Sequence, residues 1–130
     1  MIWLRLQFGS LAMMTSVLVA PDGTTEYEAA HGTVQRHYYK HFKKVKKLLQ
    51  TLLQLIFAWS GALRKRGKLD GIDELVTFAD KLEKATIDTI ESGTMTKDLA
   101  LITTLENVNT VNSEDFIKAI RATLENLLNA

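Results

Sequence analysis

The hydrophobic period changes once along this chain, and that change limits the folds open to it. Residues 14–20 (Met-Thr-Ser-Val-Leu-Val-Ala) form a continuous apolar run rich in β-branched side chains, the pattern of a strand buried on both faces. The run ends at Pro21-Asp22-Gly23, which holds the only proline in the chain. Proline fixes φ and glycine tolerates positive φ, so a turn is expected there. Residues 24–30 alternate and read as the second arm of a hairpin, nearer an edge. From Val45 the period becomes helical. Val45, Leu48, Leu49, Leu52, Leu53, Ile56 and Phe57 recur at spacings of three and four.

That helix can run to Arg66, with Gly67 as its stop. Asp70 is a candidate N-cap for a second helix, whose apolar face is Leu75, Phe78, Ala79, Leu82, Ala85, Thr86 and Ile90 and whose end is Gly93. Residues 94–100 suggest a short turn or helix. Asn112-Ser113-Glu114-Asp115 caps a last helix with Phe116, Ile117, Ile120, Leu124 and Leu127 inward. The expected class is α/β and helix-dominated, with a strand pair near 14–30 followed by three main helices. No internal repeat or linker breaks the chain, so 130 residues make one unit.

Composition closes several routes. No uncharged apolar run is long enough to span a bilayer. The start lacks the basic region and cleavage site of a signal peptide. With no cysteine, disulfides, thiolate zinc sites and a thiol nucleophile are excluded, and the cytoplasm is the expected compartment. The net charge of +1 conceals an asymmetry. Residues 36–68 carry ten Lys/Arg and no acid, whereas residues 69–130 carry twelve acids against five bases. Either the basic half binds an anion, or the two halves fold together and neutralise one another.

Residues 28–38 (Glu-Ala-Ala-His-Gly-Thr-Val-Gln-Arg-His-Tyr) closely resemble a segment of the NADP-dependent isocitrate dehydrogenases, in the isocitrate/isopropylmalate dehydrogenase family. Phe8-Gly9-Ser10-Leu11, residues 14–19, Ile56-Phe57-Ala58-Trp59 and residues 92–100 (Ser-Gly-Thr-Met-Thr-Lys-Asp-Leu-Ala) resemble the C-terminal part of the same family, in the same order. The resemblance implies a C-terminal portion of the family's large domain, well under half of a family enzyme, so that residues 1–130 are a single partial domain. It implies that His31, Gly32, Thr33 and Val34 pack on the adenine side of NADP. Arg36 and His37 would face the 2′-phosphate, where a forked, permanently charged guanidinium and a nearby imidazole suit a dianion. Lys97 and Asp98 match a segment near the adenine. Taken singly, His31 and His37 would be ordinary histidines and Arg36 a solvated charge; only the block gives them a role. The family's enzymes are homodimers that use magnesium or manganese to decarboxylate isocitrate oxidatively in the tricarboxylic acid cycle.

The chain also departs from that family. Where the family has a polar Thr-Ser-Thr-Asn loop that holds the adenosine, residues 43–55 read Lys-Lys-Val-Lys-Lys-Leu-Leu-Gln-Thr-Leu-Leu-Gln-Leu. Permitted codons for these residues, read from the third nucleotide, give Lys-Gly-Glu-Glu-Thr-Ser-Thr-Asn-Ser-Ile-Ala-Thr, which is the replaced loop. Residues 1–7 behave likewise and yield Asp-Met-Val-Ala-Phe-Ala, including an aspartate of the family's metal site. A compensated frameshift in a truncated gene is the reading this supports. The family's substrate arginines, catalytic lysine and tyrosine, and metal aspartates lie upstream or at the altered start. No catalytic residue and no metal ligand is therefore assigned here, and NADP affinity is expected to be weak or lost. A second reading makes residues 43–57 a basic amphipathic helix for an anionic partner or membrane surface. Packing of its leucines against the helix over 70–92 is preferred to it. Nucleic-acid binding is not supported, because Tyr38 and Tyr39 beside a short lysine cluster make no stacking platform.

Overall fold

A computed structural model of the chain describes residues 15–29, 52–101 and 103–130. Strands β1 (Thr15–Val19) and β2 (Thr25–Ala29) form the expected antiparallel hairpin, with Val17 opposite Tyr27 and Thr15 opposite Ala29. Gly23 turns the chain at φ 88°, a conformation that a Cβ disfavours. Thr24 N–H donates to Asp22 Oδ1 at 2.9 Å, the Asx geometry that tightens such turns. This amide holds the Asp22 carboxyl below its usual range.

Three long helices follow: α1 (Leu52–Asp70), α2 (Asp73–Glu91) and α4 (Ser113–Asn129). Between the last two stand β3 (Thr94–Thr96), the four-residue helix α3 (Lys97–Ala100) and β4 (Asn109–Val111). The α/β, helix-dominated expectation therefore holds. Strands β3 and β4 pair in parallel, with Thr94 opposite Asn109 and Thr96 opposite Val111. Gly93 leads into β3 at φ 92°, and a Cβ there would stand 2.8 Å from the Asn107 carbonyl oxygen. That close approach lets Asn109 N–H donate to Gly93 O at 2.8 Å and start the ladder.

The core gathers Leu52 and Leu53 of α1, Ala85 of α2, Met95 of β3, Leu99 of α3, and Phe116 and Ile120 of α4. Leu52, Leu53, Ala85, Phe116 and Ile120 lie on the apolar faces that the helical spacing marked, whereas Met95 and Leu99 were not marked; burial of these side chains is the main driving force for the fold. Asn112 caps α4 as expected: its side-chain oxygen accepts from Asp115 N–H at 3.0 Å. The far end of α4 has no basic residue in its last turn. Lys81 of α2 supplies the cation instead, donating from Nζ to Leu127 O at 2.8 Å.

The helices α1 and α2 are also joined by charge. Arg64 Nη2 stands 2.8 Å from both Asp80 and Glu83, and Ser60 Oγ donates to Glu83 Oε1 at 2.5 Å. Burial works against the Arg64 cation, but its bonds to Glu83 and Asp80 outweigh it and raise the pKa. Among the described residues, Arg64 of the basic half thus pairs with the acidic half.

Four local expectations need correction. First, β1 is not buried on both faces: Val17, Leu18 and Val19 are 46%, 54% and 68% exposed. Second, Gly67 does not end α1. It is buried in the helix, where a Cβ would stand 2.9 Å from Val76 Cγ2, and the chain leaves the helix at Gly71 with φ 67°. Third, Asp70 does not cap α2. It is the last residue of α1 and pairs with Arg66 one turn back, while Ile72 holds the N-cap position without a side-chain bond. Fourth, Ile117 faces outward at half exposure.

Candidate functional site

Strand β3 runs directly into α3, so Thr96, Lys97 and Asp98 stand at the carboxyl end of β3. Thr96 pairs with Val111, the last residue of β4, and Ser113 opens α4 two positions later. Both parallel strands therefore end on the same side, with the first residues of α3 and α4 beside them. The crevice outside the carboxyl ends of parallel strands is where open α/β sheets receive ligands.

Three buried polar side chains there have no hydrogen-bond partner: Thr96 Oγ1, both carboxylate oxygens of Asp98, and Ser113 Oγ. Buried polar atoms in native proteins are nearly always paired. An unpaired carboxylate is the costliest of these groups to bury. The chain bears that cost at the one place where its two short strands end together. Thr96 is only 1% exposed. Met95 and Leu99 anchor the backbone on either side of the site in the core, so the orphaned groups are held on a rigid base. Lys97, between Thr96 and Asp98, is exposed.

Of the residues marked from the sequence, Asp98 belongs to this cluster. His31, Gly32, Thr33, Val34, Arg36 and His37 lie outside the described residues, as do residues 43–51 of the altered segment. Thr96 and Ser113 were not marked. The signal for Thr96 was its place in the Thr-Lys-Asp block, and for Ser113 its place beside the capping Asn112. Neither pattern reveals an unpaired hydroxyl. Among the described residues, no three His, Cys, Asp or Glu side chains converge to hold a metal ion. No helix there is long and apolar enough to cross a membrane. Leu52 and Leu53, in the altered segment, are buried with Ala85 in the core.

Residues 4–120 match the isocitrate/isopropylmalate dehydrogenase family. The chain is 50% identical over 127 residues to the mitochondrial NADP isocitrate dehydrogenase of Sus scrofa, which covers 93% of this chain and 30% of the relative. Against the cytosolic NADP isocitrate dehydrogenase of Arabidopsis thaliana the identity is again 50% over 127 residues, covering 95% of this chain and 31% of the relative. The Saccharomyces cerevisiae NADP isocitrate dehydrogenase is 47% identical over 124 residues, covering 93% and 29%. The chain thus spans about 30% of the length of the curated relatives it matches. On a match that extends over most of its residues, this chain belongs to the isocitrate/isopropylmalate dehydrogenase family.

Proposed function

We propose that this chain is the coenzyme-side portion of an NADP-dependent isocitrate dehydrogenase, and that alone it holds NADP weakly and performs no turnover. The observation that carries the reading is the buried, unpaired Asp98 carboxylate at the carboxyl ends of β3 and β4. A carboxylate accepts from two donors at once, and an exocyclic amine of adenine is a donor of the right kind. The fit to the coenzyme is therefore chemical as well as ancestral. His31, Gly32, Thr33 and Val34 would complete the adenine side. Arg36 and His37 would grip the 2′-phosphate through charge-assisted bonds. When bound, NADP supplies a hydride acceptor; this chain's residues bind and orient its adenosine end.

Turnover needs more than this. Oxidative decarboxylation of isocitrate requires a divalent metal to polarise the hydroxyl and stabilise the enolate, an acid/base pair, and arginines to clamp three carboxylates. The described residues converge on no metal site, and no step through a metal is assigned to them. The same reading takes residues 1–7 and 43–55 as frameshifted. It keeps the cytoplasm as the compartment and the homodimer as the parent assembly. Sequencing the locus tests the frameshift, whether it arose by decay or as a sequence error: the lack of the family loop in another frame beneath residues 43–55 rejects it.

Titration of the full chain with NADP and with NAD tests the coenzyme reading. NADP is expected to bind, with NAD about tenfold weaker or more, since hydrogen bonds to a charged group contribute about 1.5–3 kcal/mol. Asp98→Asn is expected to weaken NADP binding, because it replaces one of the two unpaired acceptor oxygens with a donor. Equal affinity for the two coenzymes, or no binding of either, overturns the reading.

A further inference from the structure

Aspartate stands immediately before glycine twice in this chain, at Asp22-Gly23 and at Asp70-Gly71, and no asparagine does so. Such a step can rearrange without an enzyme, because glycine has no side chain to shield its backbone nitrogen from the neighbouring carboxyl carbon. Both glycines lie at positive φ, and both have open space where a Cβ would stand. Both aspartates are exposed. The two steps differ in what holds the carboxylate.

At the hairpin turn, Asp22 Oδ1 accepts from Thr24 N–H at 2.9 Å. The ring closed by that bond runs through Asp22 Cγ and the Gly23 backbone, so it folds the carboxyl carbon across from the Gly23 nitrogen. Gly23 N–H donates to Ala20 O at 2.9 Å, a bond that local opening of an exposed turn tip breaks. At the end of α1 the arrangement is the reverse. Arg66 Nε donates to Asp70 Oδ2 at 2.6 Å, and Arg66 Nη2 donates to Oδ1. A guanidinium one turn back thus fixes both oxygens and draws the carboxyl toward the start of the helix, away from the Gly71 nitrogen. Ile72 N–H donates to Gly67 O at 2.8 Å and anchors the far side of Gly71.

We propose that Asp22-Gly23 is a self-modification site at which the folded chain isomerises to isoaspartate, and that Arg66 holds Asp70-Gly71 out of the same reaction. The Gly23 nitrogen attacks Asp22 Cγ in the protonated carboxyl. An N–Cγ bond forms, the Cγ–O bond breaks, and the hydroxyl leaves with the amide proton as water. Water then adds to the main-chain carbonyl of the resulting succinimide and breaks its bond to nitrogen. The chain now passes through Cγ, and the former main-chain carbonyl is a free carboxylate. One water is lost and one regained, so no oxidant, reductant or other reactant is needed. The Thr24 amide also keeps the Asp22 carboxyl ionised, which makes the step slow, an ageing reaction and not a folding event. The product carries one more backbone atom in the turn and loses the bond from Asp22 Oδ1 to Thr24 N–H. The proposal is independent of the coenzyme reading.

The full chain is incubated for weeks in neutral buffer made with oxygen-18 water, then digested, and the peptides that contain Asp22 and Asp70 are separated and weighed. Each succinimide that opens takes up one heavy oxygen, and the isoaspartyl peptide resists cleavage by an aspartate-directed protease. Heavy oxygen and the resistant isomer are expected in the Asp22 peptide, with Asp70 about fivefold slower or more, the scale of a well-formed exposed ion pair. In urea the two sites should react at similar rates. Arg66→Ala, a change at an exposed side chain, should bring Asp70 toward its rate in urea and leave Asp22 unmoved. Concentrated salt, which screens the pair without altering the sequence, should act in the same direction on Asp70. Equal rates at the two sites in the folded chain, a faster Asp70, or an Asp22 that isomerises only in urea overturns the proposal. So does an Asp70 rate indifferent to both Arg66→Ala and salt.

Discussion

Gly61→Ala should destabilise the docking of the hairpin although it improves the helix. Gly61 lies in the interior of α1, where glycine costs about 1 kcal/mol relative to alanine. The structure shows what the glycine permits. A Cβ at this position would stand 2.8 Å from two carbons of the Tyr27 ring, closer than atoms in van der Waals contact can come. Those carbons belong to the body of the ring and not to a flexible tip, so relief requires the hairpin to move. Overpacking of this kind costs about 1–3 kcal/mol, which exceeds the propensity gain. Hydrogen exchange at the β2 amides reads the docking, with each 1.4 kcal/mol lowering protection about tenfold. Tyr27→Ala removes a half-buried ring and costs about 1–2 kcal/mol. In that background the obstacle is gone, and Gly61→Ala should instead raise the urea midpoint of helix unfolding, by about 1 kcal/mol of stability. A Gly61→Ala effect of the same sign with and without Tyr27 would refute the close-approach account.

Asn112→Ala removes the acceptor for Asp115 N–H and should cost about 1 kcal/mol, a fall of about 3–5 °C in the thermal midpoint for a domain of this size. Acid should weaken the fold through two carboxyls. Thr24 N–H holds Asp22, and Arg66 holds Asp70, below the ordinary value of 3.8. A depressed folded pKa contributes stability that is complete above 3.8 and lost as pH falls through the folded value. Urea midpoints should therefore drop as pH falls below 3.8, and Asp22→Asn should shrink that drop.

The helices were legible because their apolar spacing is the cause of their burial. Phe116 and Ile120 face the core, and Asn112 caps α4, for reasons that lie within one turn of sequence. The boundary between α1 and α2 was misread because glycine has two uses. Gly67 serves a close approach to Val76, and Gly71 supplies the positive φ; only the three-dimensional contact separates them. Asp70 resembles a cap, yet an arginine four residues before it offers a charge-assisted pair instead. Strands β3 and β4, three residues each, are too short to display a period. The exposure of β1 is the most informative miss, since its pattern is that of a strand covered on both faces, yet Val17, Leu18 and Val19 are exposed. At the site, Asp98 was marked through the family block alone. That its oxygens are unpaired, and that Thr96 and Ser113 share that condition, depends on how two strands and two helix starts meet.

The most direct measurement supplies the isolated, pure chain with isocitrate, NADP and magnesium or manganese, and follows NADPH by its absorbance. A coenzyme-side portion whose described residues converge on no metal site should leave the signal flat over hours. Steady accumulation of NADPH, proportional to the amount of chain added, would contradict the account.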